Sequence, residues 1–245
     1  MYTLNQIVAE RPNFHRSETE IDRSFDPKES LLSPAVAAQL ASGELTCYGI
    51  EQEVLSFIAD NVNSTSRTLE TGAGCSTLVF GICGCEHIAV TPSASETGLI
   101  TDYARQRGIS LDRVQFANTS SDQYLPRCAT GEFDLILLDG KHAFPWPILD
   151  WFFTADRLRQ NGLMIIDDVH LRAAAILAEF MNADPAWQLV RDFSGKTLAF
   201  KKIRNGIHDV AWHMQPFSLS SPVPDNGSAS LIRRGIRRLR RVVKI

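Results

Sequence analysis

Thr68-Leu69-Glu70-Thr71-Gly72-Ala73-Gly74-Cys75-Ser76-Thr77 is the stretch on which the reading of this chain turns. A short strand ends in an acid, and two glycines separated by one residue lead into a helix. Glycine reaches backbone angles closed to other residues and lets a ligand approach bare backbone. The helix start offers N–H groups that have no partner within the helix. Such a turn at the carboxyl edge of a parallel sheet is where nucleotide-like ligands bind. The dinucleotide fingerprint asks for a third glycine three residues after the second. Thr77 stands there instead, which disfavours a nicotinamide or flavin dinucleotide and hence a dehydrogenase. Glu70 points the same way, since a carboxylate beside the turn repels a pyrophosphate and suits an ammonium or a sulfonium. The bland alternative is a strand-to-helix turn that holds no ligand.

Downstream the texture alternates between short apolar runs and amphipathic stretches. Helix is expected near 75–84, strand at "HIAV" (87–90), helix over 95–107 and strand at "VQF" (114–116). "FDLILLD" (133–139) is apolar throughout, as a strand covered on both faces must be. A helix near 146–160, a strand over 163–167 and a helix near 171–182 follow. This alternation argues for a parallel sheet wound on both sides. "WQLVRDF" (187–193) and "KTLAFKK" (196–202) are joined only by Ser194-Gly195, a link short enough to force an antiparallel hairpin.

With 245 residues, 44% hydrophobic and 22% charged, the chain has the composition of an ordinary water-soluble globular protein. Its five cysteines include no paired C-x-x-C framework, which favours free thiols in a reducing compartment. Cys83-Gly84-Cys85 has no second pair to complete a soft-metal site. Residues 1–45 are polar and punctuated by prolines, with short helices expected over 34–42 and 50–60, and they form an N-terminal helical or cap segment. The expected catalytic domain spans 46–203. Residues 204–245 are expected to be a linker, "SLSSPVPDNGSAS", and a tail, "SLIRRGIRRLRRVVKI", with seven basic residues and no acid. The remainder carries 18 basic against 28 acidic residues, a balance of −10, so a generally nucleic-acid-binding surface is not expected. Ile232, Ile236, Leu239 and Val243 recur at helical spacing among the basic residues, a pattern suited to contact with anionic lipid or an acidic partner, including a second copy. No signal peptide or bilayer-spanning run is visible, so the expected location is cytoplasmic, with peripheral contact at the inner membrane face as an extension.

Glu70-Thr71-Gly72-Ala73-Gly74-Cys75-Ser76-Thr77 resembles the first motif of class I S-adenosylmethionine-dependent methyltransferases, in the form E-x-G-x-G-x-S-T. The resemblance covers about residues 50–203. It implies an α/β, Rossmann-like, doubly wound and mostly parallel seven-stranded sheet that closes with a C-terminal antiparallel hairpin. It also implies that Thr71, Gly72, Ala73 and Gly74 approach the methionine part of S-adenosylmethionine. Glu70 would help hold its amino end, with Ser76 and Thr77 beside it at the helix start. The family's ribose-binding acid after the second strand is replaced here by Thr91, and Glu96 is the substitute within reach. Ser120 and Ser121 fall in the loosely matching adenine region.

The family's strand order would make 133–139 and 163–167 neighbours, so that Asp139, Asp167 and Asp168 converge on one edge. Three such carboxylates repel unless a cation or shared protons intervene, and a hard divalent ion such as Mg²⁺ is the natural compensator. The pattern is similar to that of the metal-dependent O-methyltransferases, both catechol-type and sugar-acting. The resemblance implies that Asp139, Asp167 and Asp168 hold the metal and that Asp139 also borders the cofactor. It implies a histidine general base at His170, two residues after the acidic pair, with His142 as the second candidate and Lys141 next to it. The expected acceptor is a hydroxyl of a small molecule or sugar. Asp167 and Asp168 as plain helix caps, a metal-independent methyltransferase and a non-catalytic Rossmann-like binding protein stay open.

Overall fold

The structure is a computed structural model that describes residues 3–10, 12, 14, 49–128 and 131–220. The helix expected over 34–42, Cys47 and the basic tail lie outside the described residues. Strands β1 (Arg67–Thr71), β2 (Glu86–Val90), β3 (Val114–Ala117), β4 (Phe133–Leu138), β5 (Leu158–Ile166), β6 (Trp187–Phe193) and β7 (Thr197–Lys202) form one seven-stranded sheet in the order β3-β2-β1-β4-β5-β7-β6. β7 runs antiparallel to both β5 and β6, and the other pairings are parallel. The doubly wound sheet with a terminal hairpin is therefore the fold of this chain.

The central strands alternate between two cores. Ile136, Leu138, Met164 and Ile166 pack into one. Leu135, Leu137 and Ile165 pack into the other. Both faces are dry, which explains why "LILL" and "MII" show no polar alternation. Helices α2 (Gln52–Asn61), α3 (Cys75–Ile82) and α4 (Ala94–Arg107) cover the second core through Val54, Leu55, Leu78, Phe80 and Ile100. Helices α6 (Trp146–Thr154) and α7 (Arg172–Ala183) cover the first through Trp151, Ala174 and Leu177, and the one-turn α5 (Ser121–Tyr124) precedes them in the chain.

Two local boundaries are corrected. The helix after β4 stops at Thr154 rather than 160, because a 3₁₀ turn (Ala155–Arg157) hands the chain to β5 at Leu158, earlier than the expected 163. The polar run Arg159-Gln160-Asn161 hid that start; it is exposed, Asn161 has φ +66°, and the β4–β5 register slips there. Helix α1 (Leu4–Glu10) lies in a segment read as polar. It is anchored by buried Ile7 and by Glu10, which accepts from Tyr103 Oη at 2.7 Å and pairs with Arg107 at 2.6 Å. After Lys202 the chain stays packed on the sheet domain through His208, whose Nε2 lies 2.8 Å from the Phe152 carbonyl. Described residues up to Asp209 form one compact unit. A second unit begins at Val210 and contains a 3₁₀ turn (Trp212–Met214) and helix α8 (Pro216–Ser220). Among the described residues no helix is long and apolar enough to cross a membrane.

Candidate active site

β1 ends at Thr71 and the chain turns at Gly72, where φ is +88°. A Cβ there would sit 2.2 Å from the carbonyl oxygen of Asp139, so glycine is required twice over. The Gly72 N–H donates to Val90 O at 2.9 Å, and the Asp139 N–H donates to Thr71 O at 3.1 Å. These bonds carry the β2-β1-β4 ladder one residue past the strands and hold the turn against the loop after β4. Thr77, in place of the third glycine of a dinucleotide turn, accepts from the Gly74 N–H at 2.9 Å and donates to Glu70.

Glu70 departs from expectation. Its side chain is buried, and its carboxylate accepts from Ser76 Oγ at 2.6 Å and from Thr77 Oγ1, with His87 Nε2 at 3.1 Å. His87 stacks on Phe80 at 4.1 Å and meets Thr68 Oγ1 at 2.8 Å through Nδ1. Glu70 and Thr77 therefore brace the turn from behind and are not among the residues lining the cavity in front of it. Two hydroxyls at the start of α3 and an imidazole from β2 claim the carboxylate first, and the sequence did not reveal that the three would meet.

In front of the turn lies a cavity of about 560 Å³. Thr71, Gly72, Ala73, Gly74 and Ser76 form its floor. Thr91, Glu96, Ser120 and Ser121 line the side beyond β2 and β3. The Thr91 hydroxyl donates to Glu96 Oε2 at 3.3 Å, which brings an acid from α4 beside the position after β2. Ile7, Val8, Pro12 and Phe14, which sequence reasoning had no reason to single out, supply an apolar wall with Leu55. Their signal was absent because the contact is made across the fold.

Asp139, Lys141, His142, Asp167 and Asp168 border the same cavity, so the loops after β4 and β5 do converge. The cluster is not the expected triad. Carboxylate oxygens of Asp139 and Asp168 and a ring nitrogen of His142 lie within 4.8 Å of one another. His142 Nε2 is 3.2 Å from Asp168 and 3.9 Å from Asp139. Asp167 is drawn off by Lys196, whose Nζ lies 2.9 Å from Oδ2 and 3.1 Å from Oδ1, and by the Thr197 hydroxyl. His170 does not line the cavity; its side chain is 54% exposed and Nδ1 is 3.7 Å from Asp168 Oδ1. Lys141 turns its ammonium onto the Trp146 ring, 3.7 Å from the centroid, a cation–π contact at the cavity wall. Asp168 has φ +54°, a conformation that aspartate tolerates better than most residues.

Charge at this edge is out of balance. Burial, then Asp167 and Asp168, push the Asp139 carboxyl well above its ordinary value against the pull of Lys196, and Glu70 adds to the push. Its side chain keeps 27% exposure, so solvent in the cavity moderates that rise. An excess of negative charge on oxygen donors with one imidazole nearby fits a divalent cation. Burial pushes the Cys85 thiol up to about 12, and among the described residues no third ligand joins Cys83 and Cys85.

Asp150 is a further buried acid, in α6 behind Gly140, with only 2% exposure and no hydrogen-bond partner for Oδ1. Burial raises its pKa to about 6, opposed by the Ser121 and Thr71 hydroxyls and reinforced by Asp122. Between its ordinary value of 3.8 and about 6 the folded chain binds the extra proton. Stability from this group is therefore complete below pH 4 and falls as pH rises through 6. Relative to the native chain, Asp150→Asn is expected to gain about 1–3 kcal/mol between pH 4 and pH 7. Urea denaturation of both proteins across that range measures it; a difference flat with pH refutes it.

Residues 69–169 match the protein family described as methyltransferase domain. No curated protein sequence matches the chain. Among solved structures, cofactor-bound Rv0187 from MTB is 18% identical with a TM-score of 0.54, over 78% of this chain and 100% of that one. A Staphylococcus aureus protein provisionally assigned as a caffeoyl-CoA O-methyltransferase is 13% identical with a TM-score of 0.55, over 72% and 95%. An rRNA methylase from Streptococcus thermophilus is 13% identical with a TM-score of 0.50, over 62% and 96%. At such identities these structures speak for the fold. The family match spans the glycine turn and the acidic loops after β4 and β5, on the sheet whose fold these structures share.

Proposed function

We propose that this protein transfers the methyl group of S-adenosylmethionine to a hydroxyl of a small molecule or sugar, assisted by a divalent cation. The observation that carries this reading is that the glycine turn and the Asp139–His142–Asp168 cluster open into one cavity. A donor seated on the turn would have its reactive carbon beside a group able to take a proton. Gly72, Ala73 and Gly74 give the methionine portion a bare backbone floor. Glu96, assisted by Thr91, takes the ribose hydroxyls, and Ser120 and Ser121 border the adenine. About 560 Å³ shared between cofactor and acceptor favours a compact acceptor.

Asp139 and Asp168 would hold the cation, which when bound lowers the pKa of a coordinated hydroxyl. The remaining work falls to the chain. His142 is the general base in this reading, in preference to His170. It borders the cavity, and Asp168 orients its ring as a carboxylate orients the imidazole of other acid–base pairs. Ile7, Val8 and Phe14 exclude water from the transfer path. The sulfonium is already activated, so alignment and one proton removal suffice.

His142→Ala is expected to lower kcat by about 100-fold or more, with S-adenosylhomocysteine binding unchanged. His170→Ala should stay within about threefold of the native rate, as expected for a group outside the hydrogen-bonded path. Steady-state turnover with a panel of phenolic and sugar hydroxyl acceptors, alongside calorimetric titration of the cofactor product, decides between them. The reverse ranking returns the base role to His170, and a chain that binds no S-adenosylhomocysteine ends the methyl-transfer reading.

A further inference from the structure

Sheet topology brings a cation to the acidic edge that a parallel strand order would not. β5 ends at Ile166, whose partner in β7 is Leu198. Because β7 runs antiparallel, stepping forward from Ile166 means stepping backward from Leu198. Asp167 therefore meets Thr197, and Asp168 comes level with Lys196. Lys196 leaves the Ser194-Gly195 turn with both backbone groups engaged, its N–H on Phe193 O at 3.1 Å and its carbonyl accepting from Val169 N–H at 2.8 Å. Its Nζ reaches both Asp167 oxygens, at 2.9 and 3.1 Å, and Asp168 Oδ1 at 3.3 Å. Asp167 is 3% and Lys196 23% exposed, so this is a largely enclosed pair rather than a surface contact.

We infer that Lys196 is a positioning residue that neutralises Asp167 at the cavity edge and engages both its oxygens, leaving Asp139 and Asp168 as the pair that receives one divalent ion. Three carboxylates and one ammonium leave a deficit of two charges, which a single divalent cation balances. Without the lysine, Asp167 would be a third anionic donor at the same edge. Lys196 thus limits how tightly, and how many, cations the site holds. This rests on the cation assignment made above.

The test is Mn²⁺ titration of the full-length chain, by calorimetry and by the free-ion electron paramagnetic resonance signal, with no acceptor present. The native protein is expected to bind one Mn²⁺. Lys196→Met is expected to bind Mn²⁺ about tenfold more tightly or to take a second ion, because a positive charge beside the site is gone. Lys196→Met/Asp167→Asn, a neutral pair in place of a neutral pair, should return to within about threefold of native affinity, and Lys196→Arg should match native. Should the methionine variant fail to fold, Lys196→Gln carries the same expectation, since it removes the charge and keeps a polar head group. One-site binding that is unchanged or weakened in the uncharged variants overturns the role of Lys196 and leaves the cation assignment standing. Absence of Mn²⁺ binding in every variant sinks both, while S-adenosylhomocysteine binding separately reports on the methyl-transfer reading.

Discussion

Gly72→Ala is expected to abolish cofactor binding and to cost about 2–4 kcal/mol of stability. The added methyl would lie 2.2 Å from Asp139 O, and the φ of +88° is one that alanine rarely adopts. Neither side of the clash can give way cheaply. Gly72 is tied to Val90 and the Asp139 N–H to Thr71, so both backbones are extensions of sheet strands. Relief would require opening the β1–β4 seam at the point where the ligand would rest. Gly98→Ala in α4 is the control, since a Cβ there meets nothing within 4 Å. Calorimetric titration of S-adenosylhomocysteine and urea denaturation of both variants provide the measurement. Binding by Gly72→Ala within about threefold of native, a difference of well under 1 kcal/mol, would mean the cofactor sits elsewhere.

Asp168→Asn is expected to reduce turnover by on the order of 100-fold and to weaken Mn²⁺ binding by a similar factor. Asp168 is the hub of the acidic edge: His142 at 3.2 Å, Lys196 at 3.3 Å and His170 at 3.7 Å all address its carboxylate. Asparagine is the informative substitution because it also tolerates the positive φ of this position, so charge is removed with little backbone penalty. Thermal denaturation should shift only slightly, while turnover and metal binding collapse. Undiminished turnover, or turnover in the native protein that survives a chelator, would favour the metal-independent alternative on the same fold.

The two variants probe parts of the site that differ in how they are written into the chain. The glycine turn is local: Gly72 and Gly74 stand next to the strand and helix they connect, and their spacing carries the geometry. The acids after β4 and β5 are equally legible, since each closes an apolar run. The partners those acids take are another matter. Asp167 was expected to bind metal, but Lys196 lies 29 positions away and reaches it only because β7 is antiparallel to β5. Glu70 was expected to face the ligand, but Ser76, Thr77 and His87 capture it. His170 and His142 looked equivalent from their offsets, and only the path of each loop put His142 at the cavity. The α1 wall is invisible locally, because seven residues with little amphipathic signal become a wall only when Ile7 finds the core.

By itself, the sequence determined the doubly wound sheet, the closing hairpin, the glycine turn and the acids at the carboxyl edge. Each follows from residues adjacent in the chain, where backbone preference and burial on two faces act over a few positions. Only the tertiary structure decided which side chains each carboxylate meets, which histidine meets the cavity and what covers it. Those outcomes are contests between charges and hydroxyls from distant segments, settled by strand order and register rather than by local preference.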